Sequence, residues 1–227
     1  MRRLLIATLL CLAPPAMAEV TDPFEPFNRR VEVLNQQLRR AVLDPMAAAW
    51  RSHVPDPVRQ GVANVLANLR EPLSAASGLA AGELALARNA AIRFGINSSL
   101  GLGGVRDVAA AWGHPRQPSS PGDALCAWGV PAGPYLVLPL LGPSNLRDAG
   151  ALFAANAGLA HGLGMGVYVP WRSSDLLVSY AEAAPGLARA EAEALDPYAV
   201  YRSAYAQRRA LTCAVDRRDG HPAEDAE

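Results

Sequence analysis

The residues able to carry chemistry are few in this chain, and their spacing suits almost none of it. His53, His114, His161 and His221 lie dozens of residues apart and never fall as H-x-x-x-H, and no C-x-x-C is present, so no metal site is expected. Gly142-Pro-Ser144 begins like a nucleophile elbow but lacks the second glycine of G-x-S-x-G. Gly101-Leu-Gly103-Gly104 lacks the Gly-Lys-Ser/Thr of a phosphate loop and follows no strand pattern. Nothing favours a hydrolase built on Ser98 or Ser99 with a distant histidine. The pattern predicts no enzyme, no metal and no cofactor.

The remaining reactive groups are two cysteines, Cys126 and Cys213, beyond the leader described next. They either form one disulfide or stay as buried free thiols. The leader comprises residues 1–18: Arg2-Arg3 is a positive n-region, Leu4 to Ala13 an apolar run, and Ala16-Met17-Ala18 an A-x-A cleavage site. Export to an oxidising compartment by a cleaved signal peptide is expected. Cys11 has Thr8 at −3 and Leu10 at −1, which is no lipobox, so no lipid anchor is expected.

Composition excludes further classes. All 21 basic residues are arginine, they balance 21 acids, and no basic excess is left for nucleic acid. Charged residues at 19% with zero net charge do not describe a disordered chain. The 51% hydrophobic content is inflated by 44 alanines. No segment beyond the leader reaches the ~18–20 apolar residues of a spanning helix; the longest run, Tyr135 to Leu141, contains Pro139.

Helix signals dominate the elements that must position everything else. Asp-Pro at Asp22, Asp44, Asp56 and Asp196 reads as N-cap followed by N1 proline. Phe27, Val31, Leu34, Leu38 and Val42 make one helical stripe, and Val58, Val62, Val65, Leu66 and Leu69 another. A third helix runs from about Leu73 with a pause near Gly82, and a short one spans Val105 to Trp112. Pro139 argues against a strand, so Val130 to Pro143 reads as an extended apolar loop or a short kinked helix. Ser144 is expected to cap a helix reaching Ala157. A glycine-rich stretch follows at Gly158 to Gly166, then helices at Ser174 to Ala184, Leu187 to Leu195 and Pro197 to Thr212. The class is all-α in a single domain, residues 19–212, with a polar tail at residues 213–227. Trp112, Trp128, Tyr135 and Trp171 sit beside glycine or proline, either plugging the core under loops or lying at a membrane–water interface.

The chain resembles the MlaA family, also called VacJ, of Gram-negative outer-membrane proteins. The resemblance rests on Asp22-Pro-Phe-Glu-Pro-Phe-Asn-Arg29, Leu43-Asp-Pro45, Trp50-Arg-Ser-His-Val-Pro55, Pro57-Val-Arg-Gln-Gly61 and Asn68-Leu-Arg-Glu-Pro72. It continues through Arg93-Phe-Gly-Ile-Asn-Ser98, Gly101-Leu-Gly-Gly104 with Asp107, Trp128-Gly-Val130 and Gly133-Pro-Tyr-Leu-Val-Leu-Pro139. Leu141-Gly-Pro-Ser144, Arg147-Asp148 and Asp196-Pro-Tyr198 with Tyr205 complete it, in family order over residues 22–210.

The resemblance implies amphipathic helices arranged as a ring in the outer membrane, with glycine- and proline-rich loops and an amphipathic channel. It implies removal of mislocalised phospholipid from the outer leaflet to a periplasmic MlaC-like carrier, beside a trimeric porin, as part of the intermembrane Mla transport system that maintains lipid asymmetry. The alternative is a soluble periplasmic lipid-binding protein without a membrane-embedded channel. On this reading Asn97, Ser98, Gly101, Gly103, Gly104, Asp107, Gly133, Pro134 and Tyr135 are candidates for channel or gate, because small residues let head groups approach. The same glycines also suit tight turns. Arg29, Arg93, Arg106 and Arg147 either meet phosphates bidentately or pair with internal acids such as Asp107 and Asp148.

Overall fold

A computed structural model describes residues 21–213; the signal peptide and polar tail expected from the sequence lie outside the described residues. The elements in order are α1 (Glu25–Leu38), a π-helical turn (Arg39–Leu43), α2 (Asp44–His53), α3 (Asp56–Asn68), α4 (Glu71–Ala80) and α5 (Leu84–Ser99). Then come α6 (Val108–Ala111), α7 (Pro121–Ala127), strands β1 (Tyr135–Leu138) and β2 (Gly142–Asn145), α8 (Leu146–Leu163), α9 (Met165–Glu193) and α10 (Pro197–Thr212).

The Asp-Pro signals mark helix starts, but only Asp196 acts as an N-cap, accepting from the Tyr198 and Ala199 amides. Asp44 continues out of the π-helical turn, Asp56 follows the N-cap Pro55, and Asp22 accepts from Asn28 and from the Tyr198 hydroxyl instead. The other side-chain caps are Asp107 on α6, Ser120 with Asp123 in a capping box on α7, and Asn145 on α8. Ser144 is therefore not the cap expected, and α8 runs through Gly158 and Gly162 before Gly164, at φ +75°, turns the chain. Likewise α9 is one helix through Pro170 and Pro185, where separate helices were expected. Each proline removes one backbone bond, but contacts of α9 with α2, α3 and α8 hold the helix together.

Val130 to Pro143 is neither loop nor kinked helix. It contains an antiparallel hairpin pairing Tyr135 with Asn145 and Leu138 with Gly142. Pro139 falls in the turn, where its missing N–H breaks no ladder bond. The outer edge of β1 is paired by side chains of α1. Asn28 donates to the Tyr135 carbonyl and accepts from the Val137 N–H, and Asn35 does the same for Leu138 and Leu140. Two helical turns separate the asparagines by about 10.5 Å, matching the ~10 Å between positions three apart on a strand.

Polarity along α1 is inverted relative to a helix of a soluble protein. Asn28, Glu32 and Asn35 are buried, whereas Phe27 is 60% exposed and Leu34 and Val33 also face outward. The same holds elsewhere: Arg93 and Asn97 are buried on α5 while Phe94 is exposed, and Leu146, Phe153, Leu163, Met165, Val167 and Val169 are exposed along α8 and α9. Helix contacts close a circuit, α9 to α3 to α5 to α4 to α7 to α8 and back to α9. This is the ring expected.

Candidate functional site

Three adjoining cavities are lined by helices of that circuit, the first with α2 as well. The first, about 550 Å³, lies between α2, α3 and α9 and is polar: Arg51, Arg59, Arg70 and Arg116 face Asp56 and Glu182, alongside Gln60 and Asn64. The second, about 300 Å³, is walled by α4, α8, α9 and the chain before α7, with Leu73, Pro118, Leu152, Leu159 and Trp171 as its apolar part. Arg70 and Arg116 line both. The third is an apolar groove of about 390 Å³ between α4, α7 and α8, made chiefly of alanines with Leu125 and Trp128. Leu73, Pro121 and Ala155 are common to the second and third. Polarity thus falls continuously along the series, as an amphipathic ligand requires.

A buried ion pair holds Glu71 on the wall of the second cavity. Arg93 on α5 bonds Glu71 on α4 at 2.7 Å, Asp107 at 3.0 Å and the His114 carbonyl at 2.6 Å. Burial opposes ionisation of both Arg93 and Asp107. Hydrogen bonds outweigh it, raising Arg93 and holding Asp107 below the usual carboxylate range. Glu71 lies 3.8 Å from Arg116. Burial, and next the neighbouring Arg70 guanidinium, lower the proton affinity of Arg116.

A second network closes the far side. Arg209 on α10 bonds Asp123 on α7 at 2.5 Å and pairs with Asp148 on α8, which Arg147 and the Tyr205 hydroxyl also contact. Cys126 and Cys213 are joined as a disulfide beside it, with Cα atoms 6.0 Å apart.

The channel or gate candidates stand outside these three cavities, whereas Trp171 lines the second and Trp128 the third. Asn97 is buried on α5, donating to Asp107 and accepting from the Ala109 N–H. The Ser98 hydroxyl accepts from Asn68, and Asp107 caps α6. Gly101 and Gly103 belong to the same turn. Gly104 sits at φ +97°, where an added Cβ would lie 2.8 Å from that of Asn68. Gly133 packs on Leu146, the Pro134 carbonyl accepts from the Leu146 N–H, and Tyr135 is wholly buried between the Tyr198 and Tyr205 rings. These are contacts of turns and core. Of the other ring residues, Trp112 and Trp128 are 59% and 65% exposed, and Trp171 is half-buried.

The arginines divide similarly. Arg29 pairs with Glu25 and Asp196, Arg93 with Glu71 and Asp107, and Arg147 with Asp148. Arg106 is exposed and lies off the cavities. Sequence reasoning missed Arg70 and Arg116, because each follows an ordinary helix or loop pattern and only the tertiary structure brings them together.

A family model described as MlaA lipoprotein matches residues 20–212. The intermembrane phospholipid transport system lipoprotein MlaA of Haemophilus influenzae is 35% identical over 198 residues, 84% of this chain and 78% of that protein. Its namesake in Escherichia coli is 37% identical over 134 residues, 57% and 53% of the two chains. An uncharacterised protein of Rickettsia conorii is 38% identical over 130 residues, which span 57% of this chain and 52% of that one. The chain thus spans about half the length of some of the curated relatives it matches. A solved structure concerned with maintenance of bacterial outer-membrane lipid asymmetry superposes with a TM-score of 0.73 at 33% identity, covering 85% of this chain and 98% of that chain.

Proposed function

The chain belongs to the MlaA lipoprotein family, and on that premise we propose that it is an outer-membrane component of intermembrane phospholipid transport. It takes phospholipid misplaced in the outer leaflet through the ring and delivers it to a periplasmic carrier of the MlaC kind, beside a trimeric porin. The protein moves its substrate and does not transform it, and nucleic acid plays no part. The observation that carries this reading is the series of adjoining spaces, from polar cavity to alanine-lined groove, in a fold whose large apolar side chains face outward. A diacyl lipid needs a wet polar route for its head group and an apolar one for its tails. A ring embedded in lipid supplies both without a spanning helix, and no described helix is long and apolar enough to cross a membrane. The outward apolar side chains also provide an anchor that needs no acyl group.

The test is deletion of the gene, with outer-leaflet phospholipid read by phospholipase accessibility in intact cells. Accumulation on deletion and clearance on complementation are expected. An unchanged outer leaflet would remove the transport reading. A soluble periplasmic lipid-binding protein is the other reading, but Phe27, Phe153 and Met165, each more than half exposed, would then face water.

A further inference from the structure

We propose that Arg70 and Arg116 form a phosphate-binding station at the junction of the polar and mixed cavities, gripping the phosphodiester of a glycerophospholipid whose acyl chains run toward the alanine groove. This rests on the transport reading and adds to it the place where the head group is held.

Position is the first support, since these two arginines line both cavities. A shared counter-charge is the second, because the carboxylate beside each arginine is also paired with another arginine. The carboxylate nearest Arg116 is Glu71 at 3.8 Å, already bonded by Arg93 at 2.7 Å. Arg70 lies 3.2 Å from Asp175 Oδ1, yet that oxygen has no hydrogen-bond partner, and the other oxygen is held by Arg172 at 3.0 Å. Among the described residues no group accepts a hydrogen bond from either the Arg70 or the Arg116 guanidinium, whereas Arg93, Arg147 and Arg209 are each bonded inside the protein.

Orphaned donors are the third. Trp171 Nε1 on the mixed cavity and Arg59 Nε on the polar one are buried without an acceptor. A buried donor of this kind calls for an acceptor, and a guanidinium fork matches two phosphate oxygens at once. The chemistry recognised is a phosphate oxyanion, which free phosphate also carries. The apolar continuation through Leu73, Pro121 and Ala155 favours the lipid.

The experiment measures equilibrium binding to the full chain purified in detergent. Three probes are used: labelled phosphatidylglycerol, diacylglycerol with the same chains, and inorganic phosphate. Arg70→Gln/Arg116→Gln is expected to weaken phosphatidylglycerol at least about tenfold, the loss of charge-assisted bonds, while diacylglycerol binding stays within about twofold. Double replacement by lysine should fall between, because an ammonium lacks the fork. Arg106→Gln should bind as the parent chain does. Helix content and the Cys126–Cys213 bond report folding, and should the double variant not fold, Arg116→Gln alone is the test, since its side chain donates no bond within the fold.

Unchanged phosphatidylglycerol affinity in the variants overturns the station and leaves the channel standing. Failure of the parent chain to bind either lipid overturns both. Saturable inorganic phosphate binding that phosphatidylglycerol does not compete overturns the lipid assignment.

Discussion

Asn28 and Asn35 hold a strand edge with side-chain amides where a third strand would otherwise lie, and they are among the most deeply buried residues of the fold. Asn28→Ala strips partners from the Tyr135 carbonyl and the Val137 N–H. Unfolding stability should therefore fall by about 2–4 kcal/mol, the cost of two stranded groups, as read by denaturant titration in detergent; a change below about 1 kcal/mol would contradict the clamp. Gly104→Ala should also destabilise, because φ +97° and the Asn68 side chain both exclude a Cβ. For Asp107 and Asp123 burial alone would raise the carboxyls. Hydrogen bonds from Arg93, Asn97 and the Ala110 amide, and from Arg209 and Ser120, overcome it and lower both. Folded values below the unfolded ~3.9 mean full stabilisation above about pH 4 and loss as pH falls through the folded values. Asp107→Asn should flatten that acid limb in unfolding measured against pH. Sequence singled out Asn97 to Asp107 as unusual, but glycine spacing reports backbone conformation, not which surface a turn faces.

The elements follow their local signals wherever packing agrees with them. The α4–α5 break at Gly82, the proline-started helices and the end of α10 stand close to where periodicity puts them. Departures cluster where a neighbour compensates a locally weak choice. The hairpin forms because α1 pairs its free edge, and α9 continues past two prolines because three helices hold it. Cys126 and Cys213 belong to this scale as well, tying α7 to the end of α10 across 87 residues. Replacing both by serine should cost about 4–5 kcal/mol on the chain-entropy account. The loss should appear as a lower thermal midpoint equal to that produced by reducing the parent chain, and equal midpoints before and after reduction would contradict it.

For the molecule as a whole the deciding feature is which way its side chains face. Between Asp148 and Arg172 the α8–α9 hairpin carries no Asp, Glu, Lys or Arg, and its turn, at Leu163 to Val167, is exposed. An exposed helical tip without Asp, Glu, Lys or Arg suits hydrocarbon. Val167→Arg should therefore shift the protein toward the carbonate-soluble fraction, with a penalty of order 2.5–3.5 kcal/mol for a charge deep in a bilayer. Carbonate extraction of parent and variant measures it, and equal fractions would argue that the tip stays outside the lipid.

Local chemistry determined much of this protein. The absence of paired histidines, of a nucleophile elbow and of a spanning run, together with helical periodicity and the family's motifs, is legible in the sequence itself. These are properties of residue type and short spacing. Tertiary structure alone decided the outward turn of the stripe at Phe27 and Leu34, since a helical stripe has the same period whether it meets a core or lipid. It also decided the cavities. Arg70 and Arg116 stand far apart in sequence and come to line the same cavities only in the folded chain, each beside a carboxylate shared with another arginine, while Arg29, Arg93 and Arg147, equally plausible by type, are hydrogen-bonded to carboxylates. Charge is visible in a sequence, but whether a charge is neutralised depends on neighbours brought from elsewhere in the chain.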